Sequence, residues 1–101
     1  MEMYKVTKRN GHVVDFNIKK IVDAITKAFD AMDKKYHSSV IDLLALKTTA
    51  DFESKIKGGL IAVEDIQDSV ESVLSQAGYS DVAKAYILYR RQRAHNSAPY
   101  A

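Results

Sequence analysis

Val6-Thr7-Lys8-Arg9-Asn10-Gly11-His12-Val13-Val14-Asp15-Phe16-Asn17, running on into Ile18-Lys19-Lys20-Ile21, sets the architecture of everything after it. Asn10-Gly11 is a strong hairpin signal, because a two-residue type I′ turn needs positive φ at both central positions and these residues reach it at least cost. Val6 and Lys8 precede the turn, and Val13, Val14 and Phe16 follow it. The reading is a pair of short antiparallel strands, about residues 3–8 and 12–16, then a helix capped by Asn17, whose side-chain oxygen can accept a free amide of the next turn. Lys8, Arg9 and His12 crowd the turn, and Lys19 and Lys20 fall in the first helical turn. Cations are disfavoured at a helix N-terminus, where the dipole is already positive. An anionic ligand would account for them.

From Asn17 the pattern becomes helical. Ile18, Ile21, Val22, Ile25, Ala28, Phe29 and Met32 recur at i, i+3, i+4, i+7 and predict a first amphipathic helix over about 18–34. Ser38 or Ser39 is expected to cap a second helix over about 40–56. Its Val40, Ile41, Leu43, Leu44 and Leu46 are apolar on more than one face, with a break conceivable at Thr48-Thr49. Gly58-Gly59 ends it. Leu60-Ile61-Ala62-Val63 is too short for a helix and could add a third strand to the hairpin. Glu64-Asp65 suit the start of a third helix, with Ile66, Val70, Val73, Leu74 and Ala77 buried and Gly78 as a left-handed cap. Ser80 and Asp81 open a fourth helix, where Val82, Ala85, Tyr86 and Tyr89 share a face and Arg90, Arg91 and Arg93 lie near the end. Residues 94–101, which hold the only proline, Pro99, read as a linker or terminal tail.

With 101 residues the chain makes one domain with a modest core. Hydrophobic residues at 47% and charged residues at 28% are ordinary for a soluble globular protein. There is no cysteine, which removes disulfides and thiolate metal sites, and the three histidines lack ligand spacing. No apolar run approaches membrane-spanning length, and no signal-peptide pattern opens the chain. The net charge of +2 says little about partners. Its distribution says more, since cations gather at the hairpin and near the C-terminus while Asp65, Asp68 and Glu71 make the third helix acidic.

No Ser-His-Asp grouping, paired catalytic carboxylates, P-loop or dinucleotide fingerprint is present. Lysine offers a mobile ammonium and arginine a planar fork, and together they suit phosphate oxygens. Val14, Phe16 and Ile21 beside those cations provide the apolar slot that a nucleotide also needs. The plainer alternatives are a solvated surface at Lys8, Arg9, Lys19 and Lys20, a solvated acidic face on the third helix, and terminal arginines that complement the helix dipole or snorkel over Tyr86 and Tyr89.

The segments Val6 to Gly11, Val14 to Asn17 with Lys20-Ile21, Val63 to Glu71, and Val82 to Arg90 together resemble the ATP-cone domain, in the form common in anaerobic ribonucleotide reductases. The resemblance covers about residues 3–93. It implies an α+β, mainly α fold: a four-helix domain capped by a small β-sheet and binding ATP or dATP as an allosteric ligand, with Mg2+ accompanying the triphosphate. In ribonucleotide reductases the cone senses the ATP to dATP ratio, usually through altered oligomerisation. Carried over by position, Lys8, Arg9, Lys20 and Arg93 would contact phosphates, with Arg90 a further candidate. Val14, Phe16, Asn17, Ile21, Val63, Ile66 and Gln67 would line the base and sugar pocket. Two positions depart from the family pattern: Val63 stands where a hydroxyl residue is frequent, and Gln67 where some members have histidine.

The implied role is a regulatory module of a cytoplasmic ribonucleotide reductase, with no catalysis of its own and a reductase catalytic domain as partner. It would be a fragment of an anaerobic ribonucleoside-triphosphate reductase or a free-standing cone, and could form a homo-oligomer. ATP and dATP differ only at the ribose 2′-hydroxyl, and Asn17 and Gln67 are the expected readers. A repressor-type cone acting on transcription is disfavoured because nothing precedes the hairpin and cysteine is absent. A nucleic-acid-binding domain predicts an extended basic stripe, whereas these cations are clustered. A structural oligomerisation domain built on the apolar second helix is the third reading.

Overall fold

Lys5–Thr7 (β1) and Val13–Asp15 (β2) pair antiparallel, with Val6 opposite Val14. The computed structural model describes residues 4–97; Met3, the expected first strand residue, lies outside the described residues. The turn differs from the type I′ expectation. Gly11 N–H donates to the Lys8 carbonyl at 2.9 Å and Lys8 N–H to the His12 carbonyl at 2.7 Å. Gly11 has φ +89°, whereas Asn10 does not have positive φ. This is a three-residue loop, a type I turn followed by a left-handed glycine. The Asn10 side chain explains the choice: its Oδ1 accepts from the His12 N–H at 3.0 Å, a bond that holds the loop one residue wider. A Cβ at Gly11 would meet nothing within 4 Å, so only backbone conformation opposes substitution there. Gly11→Ala should cost about 1 kcal/mol and lower the melting temperature by a few degrees, and Gly11→Asn should recover most of that loss.

Asn17 caps the first helix as expected: its Oδ1 accepts from the Lys19 N–H at 2.9 Å. That helix, α1, is Ile18–Ala31 and stops short of the expected Lys34. Asp33 takes φ +52°, and the Lys34 N–H bonds to the Phe29 carbonyl, a left-handed stop that a short polar residue tolerates. The second helix, α2, is Ser38–Phe52, followed by a 3-10 turn at Glu53–Lys55. His37, not a serine, occupies its cap position, without a side-chain bond. Thr48-Thr49 do not break it, because their hydroxyls donate to the Leu44 and Ala45 carbonyls at 2.8 and 3.1 Å, satisfied within the helix.

Leu60–Ala62 (β3) is the third strand. It pairs with β1, in parallel, Val6 opposite Ile61, which puts β1 at the centre of the sheet. The chain then turns directly into α3, Val63–Gln76, and through Gly78 at φ +90° into α4, Ser80–Ser97. The Tyr79 N–H closes the α3 end on the Leu74 carbonyl at 2.9 Å. Helix α4 continues into residues 94–97 of the expected linker, and residues 98–101 lie outside the described residues. The fold is thus α+β, mainly α, with four helices and a small three-stranded sheet.

Periodicity explains the packing. Ile25, Phe29, Ile41, Phe52, Val70, Leu74 and Val82 are almost wholly buried where α1, α2, α3 and α4 meet, and Val6 and Ile61 bring the sheet onto that core. Phe52 meets Tyr4 and Phe16 edge-on, with ring centroids 6.0 and 5.7 Å apart, so the aromatic end of α2 props the hairpin from behind. Among the described residues no helix is long and apolar enough to cross a membrane.

Candidate functional site

The front of the hairpin and the adjoining ends of α1, α3 and α4 enclose a cleft of about 300 Å³. Ile21, Ile66 and Val70 are buried in its floor with Gln67, and Val14, Phe16 and Val63 are half-buried at its sides. Lys8 from the hairpin, Lys20 and Lys27 from α1 and Arg93 from α4 stand exposed around it. A cationic edge over an apolar floor suits a ligand with one planar apolar part and one anionic part.

Local structure places each group. The Asn17 cap turns the chain so that Lys20 and Ile21 enter the cleft from the first turn of α1. That helix carries no acidic residue in its first turn, so the positive end of its dipole adds to the lysines. Asp15 and Asp23 also line the cleft. The Lys5 ammonium donates to Asp15 Oδ1 at 2.7 Å and holds that carboxyl below the usual range. Among the described residues Lys8, Lys20 and Lys27 have no carboxylate partner within ion-pair distance. Burial raises the Tyr86 phenol well above its ordinary value, so it stays protonated beneath the cleft.

Ten of the expected residues therefore come together: Lys8, Val14, Phe16, Asn17, Lys20, Ile21, Val63, Ile66, Gln67 and Arg93. Arg9 and Arg90 are not among those lining the cleft. Arg9 Nη1 donates to Glu64 Oε2 at 2.9 Å and its Nη2 to Gln67 Oε1 at 2.6 Å. Arg90 Nη1 donates to Asp68 Oδ1 at 2.9 Å and to Glu71 Oε1, tying α4 to α3. Burial acts to lower the Arg90 pKa, but the hydrogen bonds to Glu71 and Asp68 outweigh it and leave the group above its ordinary value. Asp68 and Glu71 on the acidic face of α3 are consequently engaged with arginine and not simply solvated.

Residue-by-residue reading passed over Lys27, Asp23, Tyr86 and Tyr89. Lys20, Asp23 and Lys27 stand at i, i+3 and i+7 on one helix face, a spacing that could have linked Lys27 to Lys20. Tyr86 and Tyr89 read as core, and Tyr86 is indeed buried, but both also border the cleft. The Tyr89 ring has Lys27 Nζ and the Arg93 guanidinium each 5.8 Å from its centroid, holding both cations beside the opening.

The model of the ATP cone domain matches residues 4–95. Over 90 residues the chain is 40% identical to a vitamin B12-dependent ribonucleoside-diphosphate reductase of Mycobacterium tuberculosis, covering 89% of this chain and 12% of that protein. It is 41% identical over 99 residues to a ribonucleoside-diphosphate reductase subunit alpha of Chlamydia pneumoniae, covering 92% and 10%. It is 32% identical over 96 residues to an anaerobic ribonucleoside-triphosphate reductase of Haemophilus influenzae, covering 92% and 13%. The chain thus spans only about an eighth of the length of such relatives or less. They include reductases of several kinds, so the similarity is not peculiar to the anaerobic one.

Proposed function

The chain belongs to the ATP-cone family, and from that premise we propose that residues 3–93 form a regulatory domain that binds ATP or dATP and controls a ribonucleotide reductase. The observation that carries this reading is the cleft itself, where Lys8 and Lys20 flank an apolar floor of Ile21, Ile66 and Val70. The base and sugar would lie on that floor beside Val14, Phe16, Asn17, Val63 and Gln67. The triphosphate would meet Lys8, Lys20 and Arg93 at the α1 N-terminus. Mg2+ would travel with the triphosphate: among the described residues no cluster of three or more potential metal ligands exists to hold it independently.

The domain would act without chemistry of its own. ATP and dATP would favour different arrangements of the cone, and each would present a different surface to the reductase catalytic domain or to a second copy. A coupling of about 1–3 kcal/mol suffices for such control. Leu43 and Leu46, exposed one turn apart on α2, support an association surface. A cytoplasmic setting follows from the proposed partner, and residues 94–101, helical as far as Ser97, would lead towards it. The relatives leave the kind of reductase open to experiment, and we favour the anaerobic kind on the form of the closing segment Val82 to Arg90.

Calorimetry with ATP, dATP and GTP tests the reading. Both adenine nucleotides should bind in the micromolar range, the affinity expected of three or four charge-assisted contacts once ordering costs are deducted. Lys8→Ala should weaken ATP binding by about tenfold or more while barely changing the melting temperature of the free domain, because Lys8 is exposed. Absence of binding below millimolar concentration, or salt-sensitive binding to duplex DNA in its place, would overturn the proposal.

A further inference from the structure

Lys8 and Arg9 are neighbours in the hairpin turn, yet they meet different surroundings. Lys8 is exposed, lines the cleft and has no carboxylate partner among the described residues. Arg9 is drawn sideways onto the start of α3, where Nη1 donates to Glu64 Oε2 at 2.9 Å and Nη2 to Gln67 Oε1 at 2.6 Å. Gln67 lines the cleft and Glu64 does not. The guanidinium thus lies one hydrogen bond from a wall of the cleft, and its charge also acts on the Tyr86 phenol, another residue of that wall. The tie differs from that of Arg90, whose side chain is only 16% exposed and meets two carboxylates, Asp68 and Glu71. Arg9 meets one carboxylate, and that side chain is 60% exposed. Glu64 also stands in the first turn of α3, where the helix dipole stabilises a carboxylate by itself, so it loses little when the guanidinium leaves.

We propose that Glu64 is a positioning residue that competes with the triphosphate for Arg9, and so sets the nucleotide affinity below what the cations of this face would otherwise confer. The proposal rests on the nucleotide-binding reading above. Lys8 brings phosphate to the tip of the hairpin, and the adjoining Arg9 joins it only by giving up Glu64. Exchanging a carboxylate oxygen for a phosphate oxygen nearly cancels, because both make charge-assisted bonds to the same fork. Arg9 therefore adds little to binding in the native chain, and adds its contact in full once Glu64 is removed. A sensor benefits from such a restraint. A site whose Kd lies far below the ambient ligand concentration stays saturated and no longer registers changes in it.

Calorimetry with ATP, and displacement of ATP by inorganic triphosphate or by adenosine, tests the proposal. Glu64→Ala should tighten ATP and inorganic triphosphate by about three- to fivefold, the range of an exposed ion pair, and leave adenosine unchanged. Its melting temperature should fall by no more than a few degrees. Glu64→Gln, which keeps the size without the charge, should show a smaller gain of the same sign. In an Arg9→Met background the Glu64→Ala gain should shrink to less than about twofold. Asp68→Ala should leave ATP affinity within about twofold, because its partner Arg90 remains held by Glu71. A loss of affinity in Glu64→Ala would mean that Glu64 aims Arg9 at the phosphates, and it overturns the proposal, as does no change. A gain that persists undiminished in Arg9→Met, recurs in Asp68→Ala or extends to adenosine also overturns it, because removal of a negative charge then suffices. Those outcomes leave the nucleotide site standing wherever the wild-type chain binds ATP. Failure of both the wild-type and the Glu64→Ala chains to bind ATP overturns the site and the proposal together.

Discussion

Lys20→Glu should weaken ATP and dATP binding by about a hundredfold, the largest expected loss at any single cleft position. Lys20 sits in the first turn of α1, exposed, lining the cleft and without a carboxylate partner among the described residues. Removing a charge-assisted contact to phosphate costs about 1.5–3 kcal/mol, and a carboxylate in its place adds repulsion. The domain itself should tolerate the change and even gain slightly, because a negative charge suits a helix N-terminus. The combination is diagnostic: unchanged or raised melting temperature, with nucleotide binding lost. Calorimetry beside a thermal melt checks both halves, and a melting temperature that falls sharply would mean that Lys20 is structural.

Phe52→Ala should destabilise the domain by about 3–5 kcal/mol, a large share of the roughly 5–15 kcal/mol available to a domain of this kind. Its side chain is fully buried at the end of α2, against Tyr4 and Phe16. Melting should move down by about 15 °C or more. The loss should also reach the cleft, because Phe16 presents one side to Phe52 and another to the cleft. Any Phe52→Ala protein that remains folded at low temperature should therefore bind ATP more weakly than the wild type. Phe52→Leu, which keeps much of the volume, should restore most of both properties. A folded variant with undiminished affinity would show that the aromatic cluster does not support the binding wall.

How far the sequence carries depends on the range of the interaction concerned. Ile21, Ile25, Ala28 and Phe29 lie on one stripe because helix geometry alone puts them there, and all four are buried. The Asn17 cap and the left-handed Gly78 are equally local, and both stand where their chemistry places them. Helix ends were less legible. Asp33 stops α1 by taking positive φ, a conformation that its short polar side chain tolerates but does not force. The hairpin loop turned on one side chain, since Asn10 bonding to the His12 amide favours three loop residues over two.

The composition of the cleft was largely readable, because Lys8, Phe16, Asn17, Lys20 and Ile21 belong to one continuous segment that can fold in few ways. Val63, Ile66 and Gln67 joined them through family resemblance, and the structure brings them within the same cleft. Charge by itself misdirects for the arginines. Arg9 and Arg90 have the same phosphate-binding chemistry as Arg93, yet Glu64, Asp68 and Glu71 on α3 engage them.

By itself, then, the sequence determined what acts over a few residues: the helical stripes, the hairpin, the Asn17 cap, and the cation-rich segment beside an apolar one. Only the tertiary structure decided that β3 joins β1 in parallel, that Lys27, Tyr86 and Tyr89 border the cleft, and that the Arg9 fork closes on Gln67. The physical reason is distance along the chain. Arg9 and Gln67 are separated by two helices and two strands, and which cation meets a carboxylate or an amide depends on how those elements pack, a choice that no local pattern of charge encodes.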